Sequence, residues 1–382
     1  MSASIVGLGM TPMSLRPGDS PLELACQASR NALADAGIEI TDIDGLLVGS
    51  SQGVRPDRLG VGFASSGGFS GLRLLEHVEI KGATTIAMIQ RAQFAVESGS
   101  ARVVMCVFAD APLVAGKAAG STYAHSGGHS GSRGLERAGG VLGSVPTYAL
   151  LTQRWLHVNA GTPEDLCAVA TTARAWAVDN PDAVVRAPLD AQGYFDSPMI
   201  SEPLRRLDCA RPVNGAVAVI VSADPAVGHA VRVNIRGTGR DHPIRHRRAG
   251  AESWFGGGRR CVDDALNAAG MTRDDVDTVQ LYDPFSVVTL ILLEEYALTR
   301  GAPAGQFVRE GHTGRGGNLP TNTGGGQLSG FYLQGMTPLA EALVQLRGDG
   351  DARQVPDATT ALVGGIGGRL DHHAALVLER AA

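Results

Sequence analysis

Gly316–Gly348 reads GGNLPTNTGGGQLSGFYLQGMTPLAEALVQLRG, and the contrast between its two halves organises the reading of the whole chain. The first half is glycine, asparagine and threonine, a composition that excludes a regular element. The second half is helical, with Leu339, Leu343 and Leu346 spaced to form one apolar stripe. At the junction, Ser329-Gly330-Phe331-Tyr332-Leu333-Gln334-Gly335, small residues let a ligand approach the main chain. One phenol, Tyr332, sits at the bend and is a candidate catalytic group.

The chain has 382 residues, enough for two modest domains or one large duplicated fold. It is 44% hydrophobic and 19% charged, as an ordinary globular protein is, and its net charge of -5 gives no reason to expect a nucleic-acid partner. The 51 glycines cluster in loops, which points to close backbone contacts. Five cysteines without CxxC spacing provide no disulfide framework or zinc motif. His372-His373 has no acidic cluster to complete a metal site. No apolar run approaches the roughly 20 residues of a membrane span, and SASIVGLGM lacks the basic start of a signal peptide. The expected location is the cytoplasm.

Along the chain, Ser4 to Gly7 reads as a strand. Ser20-Pro21-Leu22-Glu23 matches a capping box that opens a helix stopped at Gly37. Leu46 to Val48 is the next strand, and Gly53 to Ile80 reads as loop-rich. Ala83 to Ser98 is a helix of small and apolar residues, which predicts burial on most sides. Arg102 to Ala109 is a continuous apolar run, as in a central strand covered on both faces. Gly116 to Gly143, with His125 and His129, reads as a long loop, either a subunit-contact arm or a lid. Helices follow at Thr147 to His157 and Pro163 to Val178, then strands at Ala216 to Val221, Val231 to Ile235 and Ala374 to Leu378. The run Arg245-His246-Arg247-Arg248 reads as a solvated loop, the alternative being contact with phosphates.

The chain also repeats itself. Ala32-Leu33-Ala34-Asp35-Ala36-Gly37, followed by Ile43-Asp44 and a strand, recurs as Ala265-Leu266-Asn267-Ala268-Ala269-Gly270, followed by Val276-Asp277 and a strand. A looser correspondence relates Gly82 to Ala109 with Gly330 to Gly365. Such a repeat means two similar βαβ-rich halves packed on each other.

A duplicated α/β chain with these pieces resembles the thiolase fold. Glu202-Pro203-Leu204-Arg205-Arg206-Leu207-Asp208-Cys209 with Asn214-Gly215-Ala216, Leu319-Pro320-Thr321-Asn322-Thr323-Gly324-Gly325, and Gln345-Leu346-Arg347-Gly348 are each similar to segments of that family. The resemblance covers nearly the whole chain and is nearest to the lipid-transfer type. It implies an α/β thiolase fold with two similar βαβ-rich halves in a five-layer αβαβα arrangement. The halves would be residues 1–225, with a loop insertion at about 112–205, and residues 226–382.

The departures from the family carry the functional reading. Gly82 stands where thiolases place a nucleophilic cysteine, and Tyr332 stands where they place a catalytic histidine. Tyr282-Asp283-Pro284-Phe285 replaces a third motif, and Gly364-Gly365-Ile366-Gly367-Gly368 a C-terminal one that often brings a second thiol. Claisen chemistry through an acyl-enzyme therefore lacks its nucleophile and its base. The pattern is similar to the steroid side-chain aldolases of the lipid-transfer branch, except that Gln334 occupies a position where that branch commonly has histidine.

That resemblance implies a retro-aldol cleavage of a β-hydroxyacyl-CoA, with or without a steroid ring system, to a ketone or aldehyde plus a short acyl-CoA. Tyr282, Tyr332 and Asp283 are its candidate catalytic residues, with the assignment of base and acid left open between the tyrosines. A phenol both donates and accepts hydrogen bonds, but its ordinary pKa of ~10 makes it a poor base at neutral pH. Gly82, Asn322, Gly365 and Gly367 are the oxyanion and substrate-binding candidates, and a small residue at 82 would leave room for a bulky substrate. No cofactor is expected on this chain, whose CoA thioester is substrate. The resemblance further implies a homodimer and a small OB-fold partner of the DUF35 type, with zinc, where present, in the partner. Two alternatives stand beside this reading: a non-catalytic acyl-CoA-binding scaffold subunit, and a thiolase or acyltransferase with an unidentified nucleophile.

Overall fold

The computed structural model describes residues 2–50, 56–117, 131–228, 231–243 and 257–381. The first half contributes β1 (Ser4–Met10), α1 (Pro21–Ala36), β2 (Gly45–Ser50), α2 (Pro56–Ser66), β3 (Leu74–Val78), α3 (Thr84–Glu97) and β4 (Val103–Asp110). After these come α4 (Gly131–Ala138), α5 (Ser144–Val158), α6 (Pro163–Ala177), α7 (Ala191–Phe195), the small hairpin of β5 (Met199–Ser201) and β6 (Leu204–Arg205), and β7 (Gly215–Ser222). The second half contributes β8 (Val233–Asp241), α8 (Gly258–Ala269), β9 (Thr278–Leu281), α9 (Ser286–Glu295), α10 (Ala304–Arg309), α11 (Met336–Arg347), β10 (Thr360–Gly367) and β11 (His372–Arg380).

Sheet order exposes the duplication. The nine strands run β3-β2-β4-β7-β1-β8-β11-β10-β9. β1 is antiparallel to β7, β7 to β4, and β4 runs parallel to β2, while β8, β11, β10 and β9 repeat that pattern outward from the junction. The half-sheets meet where Ser4 pairs with Asn234 and Ile5 with Val233. One core lies between α1, α2 and the outer face of the first half-sheet. A second joins α3 and α11 to the inner faces of both half-sheets. The third packs α8, α9 and α10, together with α5 and α6 of the intervening chain, on the outer face of the second half-sheet. These are the five layers, αβαβα, of the thiolase fold.

The sequence repeat acquires a physical meaning at two places. In β1, Gly7 and Gly9 lie under α1, and in β8, Gly237 and Gly239 lie under α8. A Cβ on Gly9 would fall within the main chain of Ala28 and Ala32, and one on Gly239 within the carbonyl of Cys261. Both helices therefore rest directly on a strand through small residues: Ala28, Ala32 and Ala36 in α1, and Cys261, Ala265 and Ala269 in α8. Both stop at a left-handed glycine, Gly37 (φ 64°) and Gly270 (φ 68°). The repeated aspartates also do the same work. Asp44 accepts from the N–H groups of Arg102 (2.8 Å) and Val103 (2.9 Å) at the start of β4, and Asp277 from those of Thr359 (2.8 Å) and Thr360 (2.9 Å) at the start of β10.

Several local expectations are corrected. Gly326–Gly330 is one regular turn of π-helix despite its composition; repeated small residues permit the wide backbone that such a turn needs. All twelve residues of α11 are buried, so the leucine stripe is part of a helix covered on every side. Its charged residues find partners within the protein: Arg347 Nη1 meets Asp35 at 2.8 Å, though Arg347 Nε and Nη2 are buried without a hydrogen-bond partner, and Glu341 meets Arg353 at 3.2 Å. The stretch read as loop between Gly53 and Ile80 holds α2 and β3, and the one between Gly116 and Gly143 holds α4. His125, His129 and Arg245 to Arg248 lie outside the described residues. Among the described residues, no helix is long and apolar enough to cross a membrane.

Gly239→Ala forces α8 off β8 and is expected to destabilise the protein by about 3 kcal/mol or more, at the upper end of overpacking costs. Gly18, with no atom within 4 Å of a built Cβ, should tolerate alanine within about 0.5 kcal/mol. Chemical denaturation of both variants checks this, and equal midpoints would contradict the packing argument.

Candidate active site

Both candidate phenols are set by one short segment, residues 208–212. The Ala210 N–H donates to the Pro284 carbonyl at 2.9 Å. Cys209 bridges to Phe285, and Pro212 to Tyr332. Beneath them Asp208 accepts from Ser286 Oγ at 2.6 Å and from Tyr194 Oη at 2.9 Å, which holds the first residue of α9. The loop after β9 and the strand-like stretch before α11 thus share a ruler. Tyr282 is further fixed by its N–H, which donates to the Gly364 carbonyl at 2.9 Å and prolongs the pairing of β9 with β10. The result is a hydrogen bond between Tyr282 Oη and Tyr332 Oη at 3.0 Å, with ring centroids 6.4 Å apart.

The pair opens onto a cavity of about 200 Å³ whose wall includes Gly82, Tyr148, Gln334 and Ile366. No cysteine or histidine is among the described residues that line it. Burial pushes both phenols up. Tyr282 lies well above its ordinary value, with the neighbouring Tyr332 adding to the effect. Tyr332 reaches about 12, its hydrogen bond with Tyr282 working against burial. At neutral pH both are protonated.

Gly82 lines the cavity, but it does not leave the room expected for a bulky substrate. A Cβ there would lie 2.5 Å from Tyr282 Cζ and would overlap the Ile366 carbonyl. The space vacated at position 82 is filled by the Tyr282 ring, so it is not left open to a bulky substrate.

The remaining candidates divide. Asp283 is buried, and its carboxylate accepts from the Gln327 N–H at 2.8 Å while its other oxygen has no partner. Burial raises it to about 8 against the hydrogen bonds it accepts. Asn322, at φ 52°, accepts from the Leu281 N–H at 2.6 Å. Neither lines the cavity with the phenols; each ties the glycine turn at 324–330 to the β9 end, which keeps Tyr332 in register with Tyr282. Gly365 and Gly367 are close-approach positions: a Cβ at 365 would meet the Gly82 carbonyl at 3.1 Å, and one at 367 would overlap the Ile80 carbonyl. Their neighbours Ile366 and Gly368 form the wall itself.

Sequence reasoning missed Tyr148, Lys81, Glu136, Arg137 and Arg369, all of which line the cavity. Tyr148, in α5, stacks on Phe285 with centroids 4.3 Å apart. Glu136 of α4 forms an ion pair with Arg369 of the β10–β11 turn at the cavity rim. No local motif marks these residues, because four of the five come from an insertion or a turn whose placement only the tertiary fold determines.

Comparison with known proteins agrees with this geometry. The family described as "Thiolase C-terminal domain-like" matches residues 239–380. A Mycobacterium tuberculosis protein named 17-hydroxy-3-oxo-4-pregnene-20-carboxyl-CoA lyase is 32% identical over 91% of this chain and 92% of its own length. A Thermomonospora curvata protein named steroid side-chain-cleaving aldolase is 31% identical over 95% and 94%. The solved structure described as "Ltp2-ChsH2(DUF35) aldolase" superposes with a TM-score of 0.88 at 29% identity, covering 99% of this chain and 98% of that one. A duplicated five-layer fold with two hydrogen-bonded phenols at its cavity, together with relatives of this identity and coverage, places the chain in the thiolase superfamily, among its carbon–carbon-cleaving aldolases.

Proposed function

We propose that this enzyme cleaves a β-hydroxyacyl-CoA bearing a bulky ring system by a retro-aldol reaction in which Tyr282 and Tyr332 act as one proton relay. The observation that carries the proposal is the 3.0 Å contact between the two phenol oxygens at the cavity wall. The β-hydroxyl proton passes to one phenol oxygen as that phenol passes its own proton to the other. In the same concerted shift the second phenol hands its own proton to Cα as the Cα–Cβ bond breaks with enolate character developing on the thioester, and the β-carbon becomes a ketone or aldehyde carbonyl, so neither phenol is ever doubly protonated. The proton lost at oxygen is the one gained at carbon. A neutral relay needs no free phenolate, which fits two phenols whose ionisation is opposed by burial. Asp283 and Asn322 act on this relay by positioning.

The thioester oxygen takes up negative charge as the bond breaks, and Gly82 immediately precedes the N-terminal end of α3. The positive end of a helix dipole favours charge there. Arg137 at the wall, with Lys81 and Arg369 beside it in ion pairs to Glu79 and Glu136, is a cation suited to the phosphates of CoA. The names of the relatives favour a steroid side chain as the acyl group, and that of the similar solved structure favours a DUF35 protein as partner; on this reading the partner is small, any zinc belongs to it, and this chain carries no cofactor. A homodimer completed by two such partners, in the cytoplasm, is the assembly this reading expects.

Two measurements test it. Purified protein, with and without a DUF35 partner, is incubated with 17-hydroxy-3-oxo-4-pregnene-20-carboxyl-CoA, and ketone and acyl-CoA products are followed. Tyr282→Phe and Tyr332→Phe should each lower kcat by about 10²- to 10⁴-fold, the range of a lost acid–base group. Binding without cleavage by the unaltered protein would instead favour a scaffold subunit, and trapping by iodoacetamide with thiolysis by CoA would favour a thiol enzyme.

The second measurement concerns pH. Asp283 holds its proton to about pH 8 when folded but releases it near 3.8 when exposed. Between those values the native state binds more protons than the unfolded state, so stability falls as pH rises from about 4 to 8. Asp283→Asn, which mimics the protonated carboxyl, should flatten that part of the stability profile in denaturant titrations; an unchanged slope would mean that Asp283 is ionised in the native protein.

A further inference from the structure

Gln334 combines three features that the relay does not use. It has a left-handed backbone, φ 49°, which is uncommon for a residue with a side chain. It is 7% exposed, and its amide oxygen is buried without a hydrogen-bond partner. It also forms part of the wall of the cavity that holds Tyr282 and Tyr332. The backbone is pinned on both sides. Gln327 Nε2 donates to the Gln334 carbonyl at 2.5 Å, and the following Gly335 is pressed so close to Gly82 that a Cβ would lie 2.9 Å from its carbonyl oxygen. A strained residue held at a site, with a polar group whose bonding capacity is unmet, is the arrangement expected of a group awaiting a ligand.

We infer that the Gln334 side-chain amide hydrogen-bonds the β-oxygen of the substrate and thereby selects hydroxylated thioesters over unhydroxylated ones. This rests on the retro-aldol reading. During that reaction the β-oxygen changes from a hydroxyl, which donates and accepts, to a carbonyl, which only accepts. A primary amide carries both a donor and an acceptor and meets the oxygen in either state. Since it does not titrate, it holds the oxygen without competing for the proton that the phenols move. A substrate lacking the hydroxyl leaves this buried amide unpaired, which is costly. Gln334 is in this sense a specificity-determining residue, and the phenols retain the proton transfer.

The test compares 17-hydroxy-3-oxo-4-pregnene-20-carboxyl-CoA, measured by kcat and KM, with its 17-deoxy counterpart, measured by Ki as a competitive inhibitor. The full chain is used with its partner. The unaltered protein should favour the hydroxylated compound by about tenfold, the fold-change of one hydrogen bond to an otherwise unpaired group. Gln334→Met, close in size and apolar, should raise KM about tenfold and leave the Ki of the deoxy compound within about twofold, erasing the preference. Gln334→Asn, which keeps the amide and tolerates the left-handed backbone, should restore part of it. Equal affinity of the unaltered protein for both compounds overturns the inference without any variant, and parallel changes in KM and Ki overturn it from the variants. Absence of cleavage by the unaltered protein is a separate result that removes the retro-aldol reading itself.

Discussion

One volume at the centre of this protein admits either a side chain at position 82 or the ring of Tyr282. The built Cβ at Gly82 would sit 2.5 Å from Tyr282 Cζ, well inside van der Waals contact. The carbonyl of the same glycine is hemmed in by Gly335 and Gly365, where a Cβ would come within 2.9 Å and 3.1 Å of it. The start of α3, the start of α11 and the end of β10 therefore converge on a single residue. Three glycines make that convergence possible, and the phenol fixes what lies on its open side. The absence of a thiol and the presence of Tyr282 are thus one structural fact.

Electrostatics then constrains the chemistry. A lone tyrosine acting as base needs a stabilised phenolate, which burial and the neighbouring phenol both oppose at Tyr282. Two protonated phenols in hydrogen-bond contact avoid that requirement, since a proton entering at one oxygen can leave from the other with no net charge formed between them. The carboxyl closest in sequence is no better suited as a base. Asp283, in the loop after β9, lies against the glycine turn, is raised to about 8, and is engaged by the Gln327 N–H. Its contribution is geometric, because the turn it holds leads directly into Tyr332.

The sequence made the architecture legible where residues repeat or where caps leave a signature. The capping box at Ser20 starts α1 as its spacing predicts. The copies at Ala32–Gly37 and Ala265–Gly270 mark the two helices that rest on glycine pairs in β1 and β8. What stayed hidden is set by tertiary environment. The stripe in α11 could not announce that its polar face would be buried against Asp35 and Arg353. The apolar periodicity of α2 and β3 is too weak to stand out, and a π turn has no local signature in a run of glycines. At the site, Tyr282 and Tyr332 were legible because the family resemblance sets them at motif positions. Tyr148, Arg369 and Glu136 were not, because their proximity arises from packing of α4, α5 and the β10–β11 turn.

The same steric logic limits how such a site can change. Cysteine at position 82 would not restore a thiolase by itself, since its Cβ would collide with the Tyr282 ring and the Ile366 carbonyl. The ring would first have to leave, and its departure would strip Tyr332 of its hydrogen-bond partner. Replacing Tyr332 with histidine alone would in turn leave an imidazole with no thiol to activate. On the proposed relay, each single step loses one chemistry without gaining the other. A site built on phenols and one built on sulfur and imidazole are therefore separated by at least two coordinated substitutions in one cavity, although the five layers around them need not differ.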